Sequence, residues 1–315
     1  MTKVSVIIPN YNHAPFLQQR IESILNQTYQ DFELIVLDDC STDNSREILE
    51  TLKNHPKVSH LIFNEVNSGS TFKQWQKGIE LAKGEFIWIA ESDDWCEPSL
   101  LAELINPMIN DHNIVLSFCQ SILISESQAI LGLTQSKQLA NLTTGNKFIK
   151  SRLFNRNEIA NASMVVFKRS AIPTFSSDFT NMKYCGDWYL WVNICLNGSV
   201  FESGKYLNYF VRHNNSTITN ASRNGLDFIE GNKIFKFIEN QIEVSQVEKN
   251  ANINLRIELF EFLKPHFLNE DVLKAAYDSM IELDSIVYPI LATTTKSKSK
   301  PLQFLSFLKK LTRLQ

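Results

Sequence analysis

The residues best suited to chemistry in this chain are carboxylates that follow apolar runs. Glu91-Ser92-Asp93-Asp94 comes directly after Glu85–Ala90, which reads EFIWIA. Adjacent carboxylates beside a buried strand are costly to desolvate unless a positive charge pairs with them. A divalent cation is a natural partner, and oxygen ligands suit Mg2+ or Mn2+, which also take diphosphate oxygens. The alternative is a solvated acidic turn ahead of a helix that starts near Pro98. Asp38-Asp39 follows a second apolar run, Leu34–Leu37. A carboxylate there can accept hydrogen bonds from a base or a ribose, or it can cap the next helix through an Asx-turn. Asp187 lies in Tyr184-Cys185-Gly186-Asp187-Trp188-Tyr189-Leu190-Trp191. Desolvation beside aromatics raises a carboxylate's basicity and suits a general base. The same residue at a helix start would also complement the helix dipole.

These groups need elements to hold them. Val4–Ile8, Leu34–Leu37, Val58–Phe63 and Glu85–Ala90 are short apolar runs with polar flanks, which predicts buried strands. Between them lie helical patterns. Phe16, Leu17, Ile21, Ile24 and Leu25 predict a helix over 15–27, and a second spans 71–83. Ser41, Thr42 and Asp43 are N-cap candidates for a helix running to about Lys53. Alternating strands and helices imply a parallel sheet with right-handed crossovers, and sites in such sheets lie beyond the carboxyl ends of the strands. Asn10-Tyr11-Asn12, Asp38-Asp39 and Glu91–Asp94 fall at three such ends, so all three should face one crevice. The chain has no GxGxxG after its first strand and no GxxxxGK[ST]. A nucleotide bound here would therefore rely on carboxylates and a metal for its phosphates.

Beyond residue 113 the pattern mixes short strands at 114–119, 163–168 and 206–211 with helices at 145–153 and 187–197. After Gly225 it is almost wholly helical. TTTKSKSKP at 293–301 reads as a basic linker, and 302–314 as a short amphipathic helix carrying Lys309, Lys310 and Arg313. Such a helix either lies in an anionic membrane interface or packs on the protein body or on a dimer partner. The formal net charge of -3 excludes a global basic field for nucleic acid. Five scattered cysteines without a CxxC pair argue against a disulfide framework or structural zinc and suit a reducing cytoplasm. The first apolar run is too short for a signal peptide, and no stretch reaches the roughly 20 apolar residues of a membrane span.

VSVIIPNYNH, IESILNQTYQDFELIVLDDCSTDNS, NSGSTFKQWQKGIELAKGEFIWIAESDDW and GDWYLW occur in that order. Together these four blocks resemble glycosyltransferase family 2, whose members are inverting enzymes of the GT-A fold. The resemblance covers roughly residues 3–217. It implies an α/β fold, a Rossmann-like nucleotide-binding sheet with helices on both faces, followed by a helical C-terminal region. The GT-A domain is expected over 1–220, with a nucleotide-binding half at 1–95 and an acceptor-binding half at 96–220. The helical region would take 221–292, and the linker and tail 293–315.

Residue by residue, the resemblance implies that Pro9 and Tyr11 line the base pocket, with Tyr11 on the pyrimidine. Asp39 would hydrogen-bond that base, with Asp38 beside it. Asp93 would contact the ribose, Asp94 would bind the Mn2+ or Mg2+ that bridges the diphosphate, and Asp187 would be the catalytic base. The family usually carries Ala-Arg-Asn before the glycine of its third block. Phe72–Gly78 stands there instead and is one residue longer, so Lys73 is expected to replace the arginine near the donor. The usual Glu-Asp is Gly186-Asp187, and only the aspartate carries over. Arg212 and His213 fall where the family often has an Arg/His pair, either for the diphosphate and metal or in a surface loop.

The implied reaction moves a sugar from a nucleoside-diphosphate donor, UDP-linked, to a hydroxyl of a glycan or lipid-linked acceptor during surface polysaccharide synthesis. A protein of this kind would work in the cytoplasm or at the cytoplasmic face of the membrane, alone or as a homo-oligomer. Two other classes use similar residues: a metal-dependent nucleotidyltransferase, which would release pyrophosphate, and a nucleotide-sugar binder without turnover.

Overall fold

The computed structural model describes residues 3–172, 174–175, 177–213 and 224–283. Its first half is built on four parallel strands: β1 (Val4–Asn10), β2 (Phe32–Asp38), β3 (Val58–Phe63) and β4 (Phe86–Ile89). They lie in the order β3-β2-β1-β4. β1 and β2 are buried along their whole length. That burial explains their continuous Val/Ile/Leu runs, since a parallel strand is covered on both faces. Helices α1 (Ala14–Leu25), α2 (Ser45–Glu50) and α3 (Thr71–Leu81) make the crossovers. α2 is shorter than the pattern predicts. Asp43 does not cap a long helix. Its carboxylate instead accepts from Ala14 N at 2.9 Å and Ser45 N at 3.0 Å, so it joins the starts of α1 and α2.

The sheet continues as β4-β9-β6-β10-β5, with β5 (Trp95–Cys96), β6 (Ile114–Ser125), β9 (Val165–Lys168) and β10 (Ser199–Arg212). β9 runs antiparallel between β4 and β6, and β10 lies parallel to β6. β7 (Ile130–Leu133) and β8 (Ala140–Thr144) flank β6 and β10. β6 and β10 are much longer than the sequence pattern predicts, because polar residues interrupt their apolar runs. Those polar residues are buried and hydrogen-bond one another. Asn208 donates to Ser121 Oγ at 2.9 Å, and Gln120 donates to the Ser203 carbonyl at 3.1 Å. β7 and β8 escaped prediction because they are exposed edge strands with little apolar alternation.

Helix α4 (Leu100–Asn110) packs on β6, and α5 (Gly145–Phe148) runs into a π-helical turn at Ile149–Leu153. α6 (Ser177–Asn181) and α7 (Gly186–Cys195) follow β9. The helical C-terminal region predicted from the sequence is α8 (Leu226–Gln241), α9 (Gln246–Leu263) and α10 (Glu270–Ile281). α8 sends Ile234, Phe235 and Ile238 into the main core, while Phe228, Ile253, Ile257, Phe260, Ala276 and Met280 form a second, smaller one. The basic linker and amphipathic tail lie outside the described residues. Among the described residues no helix is long and apolar enough to cross a membrane.

α3 approaches the sheet through Gly78, where a Cβ would stand 2.5 Å from Ile7 Cγ2. Ile7 is fully buried in β1 and cannot move aside freely. Gly78→Ala should therefore cost about 1–3 kcal/mol by overpacking. Urea denaturation should show a lower midpoint at unchanged slope; a midpoint equal to that of the parent would mean that this contact is loose.

Candidate active site

The crevice at the carboxyl ends of β1, β2 and β4 is knitted by polar side chains. Asn10 and Asp38 end β1 and β2 as register partners. Asp38 accepts from Asn10 Nδ2 at 2.7 Å, from Ser41 Oγ at 2.6 Å and from Ser41 N at 3.0 Å. Its role here is to tie the two strand ends together. Asn12 and Cys40 then turn the chain at φ 58° and 64°. Asn visits this left-handed region readily, whereas Cys does so at a cost. Asn12 Oδ1 accepts from Thr42 N at 2.7 Å and locks the two turns to each other. Tyr11 projects from the tip and is 46% exposed, free to cover a ligand, while Pro9 is buried within β1.

Asp39 is the organising centre of the next loop. It is 5% exposed and accepts from Asn64 Nδ2 at 2.7 Å, Ser68 N at 2.9 Å, Ser68 Oγ at 2.7 Å and Gln74 Nε2 at 2.9 Å. Residues 64–70 are thus wrapped around one carboxylate. Lys73 is exposed and donates to the Ser68 carbonyl at 3.1 Å, so it buttresses the same loop.

The acidic cluster after β4 divides into separate environments. Trp75 on α3 donates its indole N–H to Glu91 at 2.9 Å. Burial, then the charges of Asp93 and Asp94, push Glu91 up to about 8. Asp94 is 2% exposed, and its two oxygens accept from Asn161 Nδ2 at 2.5 Å and Val211 N at 3.0 Å. Burial, then the charge of Asp93, push it up to about 7. Beneath the cluster Arg20 on α1 is fully buried, over the Trp88 ring at 5.0 Å. Its charge lowers the pKa of both Glu91 and Asp94.

Asp93 faces the other way, toward two imidazoles. His213 Nε2 lies 2.9 Å from Asp93 Oδ2, and the His213 ring stacks on His13 with centroids 5.9 Å apart. His13 Nδ1 lies 2.7 Å from Ser92 Oγ. One ligand atom from each of His13, Asp93 and His213 falls within 4.8 Å of the others. Among the described residues this is the group arranged to hold a metal ion. Burial opposes charge on Asp93, but the hydrogen bond from His213 and the nearby imidazoles outweigh it and hold the carboxyl below its usual range. The same hydrogen bond holds the His213 imidazolium above its usual range. Arg212, the last residue of β10, lies over the Phe210 ring at 5.2 Å, and burial lowers its pKa.

Asp187 sits in the first turn of α7. Asn157 donates to its Oδ2 at 2.8 Å. Burial pushes the carboxyl up to about 7, against hydrogen bonds from backbone and Asn157, with the charge of Glu230 adding to the rise. α7 meets the acidic cluster through α3. A Cβ on Gly186 would lie 2.6 Å from Phe72, and Trp191 packs at 6.1 Å on Trp75, the partner of Glu91. His13, Gln74, Asn157 and Asn161 were not singled out from the sequence. Of these only His13 carried a signal, as the residue that closes the β1 turn Asn10-Tyr11-Asn12.

The sequence matches the profile of Glycosyl transferase family 2 over residues 5–174. It is 35% identical over 162 residues to an uncharacterized glycosyltransferase of Haemophilus influenzae, covering 50% of this chain and 64% of that protein. The chain thus spans less than two thirds of that relative's length. It is 28% identical over 246 residues to the poly(ribitol-phosphate) beta-N-acetylglucosaminyltransferase TarP of Staphylococcus aureus, covering 76% of this chain and 72% of TarP. The crystal structure of S. aureus TarS residues 1–349 in complex with UDP-GlcNAc superposes with a TM-score of 0.66 at 19% identity, over 90% of this chain and 82% of that one. That likeness bears out the GT-A fold expected from the sequence.

Asp39→Ala would leave Asn64, Ser68 and Gln74 without their common acceptor. Losing these hydrogen bonds should cost about 1.5–3 kcal/mol and release the loop. Hydrogen–deuterium exchange should show Ser68 N–H losing its protection; retained protection would mean that another group organises residues 64–70.

Proposed function

Because the chain belongs to glycosyl transferase family 2, we propose that it transfers a sugar from a UDP-sugar to a hydroxyl of a glycan or lipid-linked acceptor in surface polysaccharide assembly. The observation that supports this is the Asp39-organised loop and the Asp93–His213 pair at the strand ends, tied to the segment that carries Asp187 by Lys183, which donates to the Gly69 carbonyl. Tyr11 covers the pyrimidine, and Asp39, already the hub of its loop, receives the base. Arg212 faces the diphosphate.

A divalent ion fits His13, Asp93 and His213. Their ligand atoms lie within 4.8 Å of one another, so the three would hold such an ion in place of the present Asp93–His213 hydrogen bond. Two imidazoles with one carboxylate suit a transition ion such as Mn2+ better than Mg2+, which prefers oxygen. This assignment moves the metal from Asp94 to Asp93. Asp94 then fixes the turn, through Asn161 and Val211. The bound ion would neutralise charge growing on the leaving diphosphate.

Asp187 takes the proton from the acceptor hydroxyl, whose oxygen attacks the anomeric carbon as the bond to the diphosphate breaks. One displacement inverts the configuration, so an α-linked donor gives a β-linked product. Asn157 holds the carboxylate in place for the incoming hydroxyl.

A base works only when ionised, and Asp187 lies at about 7. The parent kcat should therefore climb as pH rises through neutrality and level off above it. Asp187→Asn should keep UDP binding and lose about 100-fold or more in kcat; activity within twofold of the parent would assign the base elsewhere. His213→Ala should weaken Mn2+-dependent UDP binding by about tenfold or more, by isothermal titration calorimetry. The parent should be competed better by UDP than by GDP or ADP. Unchanged Mn2+ dependence in the variant would remove His213 from the metal, and a purine preference would remove Tyr11 and Asp39 from the base pocket.

A further inference from the structure

The C-terminal helices reach Asp187 from both sides. Glu230 on α8 is 6% exposed and lies 43 positions beyond the base in the chain (230 − 187). Its carboxylate accepts three successive backbone N–H groups: Lys183 at 2.7 Å, Tyr184 at 2.9 Å and Cys185 at 2.9 Å. These residues lead directly into α7, whose second residue is Asp187. Cys185, at the N-cap, makes no side-chain capping bond. A carboxylate from a distant helix therefore fixes an approach that a local Ser or Asp would usually fix. Gly186 is pressed against Phe72 on the far side, which leaves the start of α7 little freedom.

The second hold is on the partner of Asp187. Asn252 on α9 is fully buried and donates to the Phe154 carbonyl at 3.0 Å and to Asn155 Oδ1 at 2.8 Å. Two residues further on, Asn157 donates to Asp187 Oδ2. Arg256, also on α9, donates to the Gly231 carbonyl at 3.2 Å and lies over the Trp188 ring at 5.7 Å. The turn that Glu230 holds also touches the donor side, since Lys183 Nζ donates to the Gly69 carbonyl at 3.0 Å in the loop organised by Asp39.

We propose that Glu230 is a positioning residue for Asp187, and that α8 and α9 act as the outer wall of the acceptor side, aligning the carboxylate with the incoming hydroxyl. The proposal rests on Asp187 being the base. Glu230 acts through the backbone of 183–185 and through its charge. The other titratable groups around this pair are Asp227 on α8, Arg256 on α9, and Lys183, Tyr184 and Cys185 in the held turn.

Glu230→Gln keeps the size and one acceptor oxygen but removes the charge. The variant should retain UDP binding and donor KM within about twofold, while kcat falls about tenfold through misplacement of the base. The rising limb of its kcat–pH profile should move to lower pH, because a negative charge beside Asp187 is gone. A residue that only stabilised the fold would leave that limb in place. Normal kcat with an unmoved limb would overturn the proposal, and so would a lowered kcat with an unmoved limb. Amide exchange on the parent protein needs no variant: Lys183, Tyr184 and Cys185 N–H should all be strongly protected, and rapid exchange would overturn the proposal even if Glu230→Gln fails to fold. Failure of the base assignment looks different, because Asp187→Asn would then stay active whatever Glu230→Gln does.

Discussion

β4 ends against three carboxylates within four residues, at the edge of a core that water does not reach. Ionising them together in that setting is unfavourable, because each is desolvated and each repels the others. The architecture around the crevice reads as a set of answers to that cost. Trp75 covers Glu91, Asn161 and Val211 hold Asp94, and the imidazole of His213 takes Asp93. Arg20 brings a buried positive charge that lowers both Glu91 and Asp94. Four different elements are committed by these contacts: α1, α3, the segment before β9, and the end of β10. The compensation is uneven: the imidazoles hold Asp93 below its usual range, while burial leaves Glu91 and Asp94 pushed up.

The loops at the ends of β1 and β2 follow a related rule. A loop that must present backbone to a ligand cannot bury its own polar groups in regular structure, so side chains must hold it. Asp38 holds the β1 and β2 ends to each other, and Asp39 gathers residues 64–74. Two adjacent aspartates thus organise opposite sides of the crevice. The left-handed turns at Asn12 and Cys40 sit between them, held by Ser41 and Thr42.

Much of this was legible in the sequence because burial on both faces writes itself as uninterrupted Val/Ile/Leu. β1, β2 and β4, and the acidic residues at their ends, could be placed for that reason. β6 and β10 were legible only in part. Gln120, Ser121, Ser203 and Asn208 are core residues, but they hydrogen-bond one another across strands, and no single-strand pattern records such a partnership. The division of labour between Asp93 and Asp94 was hidden for a similar reason. Neighbours in sequence point to opposite sides of a strand end, and only the positions of His213 and Asn161 distinguish them. Glu230 carried no signal at all. In the sequence it is one acidic residue in an amphipathic helix, and its significance comes from three N–H groups on a segment 45 to 47 positions earlier.

That distance bears on how the C-terminal helices should be regarded. A helical appendage would bury its apolar stripe against its own neighbours and leave the α/β body closed. α9 and α10 do this in part, through Phe260, Ala276 and Met280. α8 does so only through Phe228, because its Ile234, Phe235 and Ile238 belong to the same core as Trp191 and Phe154. Its polar face is equally committed, with Glu230 holding the entry to α7 and Asn232 donating to Ser279 on α10 at 2.9 Å. Removing α8 would open the main core and leave the approach to Asp187 without its acceptor in the same step. Stability and the placement of Asp187 are therefore coupled through one helix. Variation in the helices beyond it can then change the outer surface while the Asp187 carboxylate keeps its place.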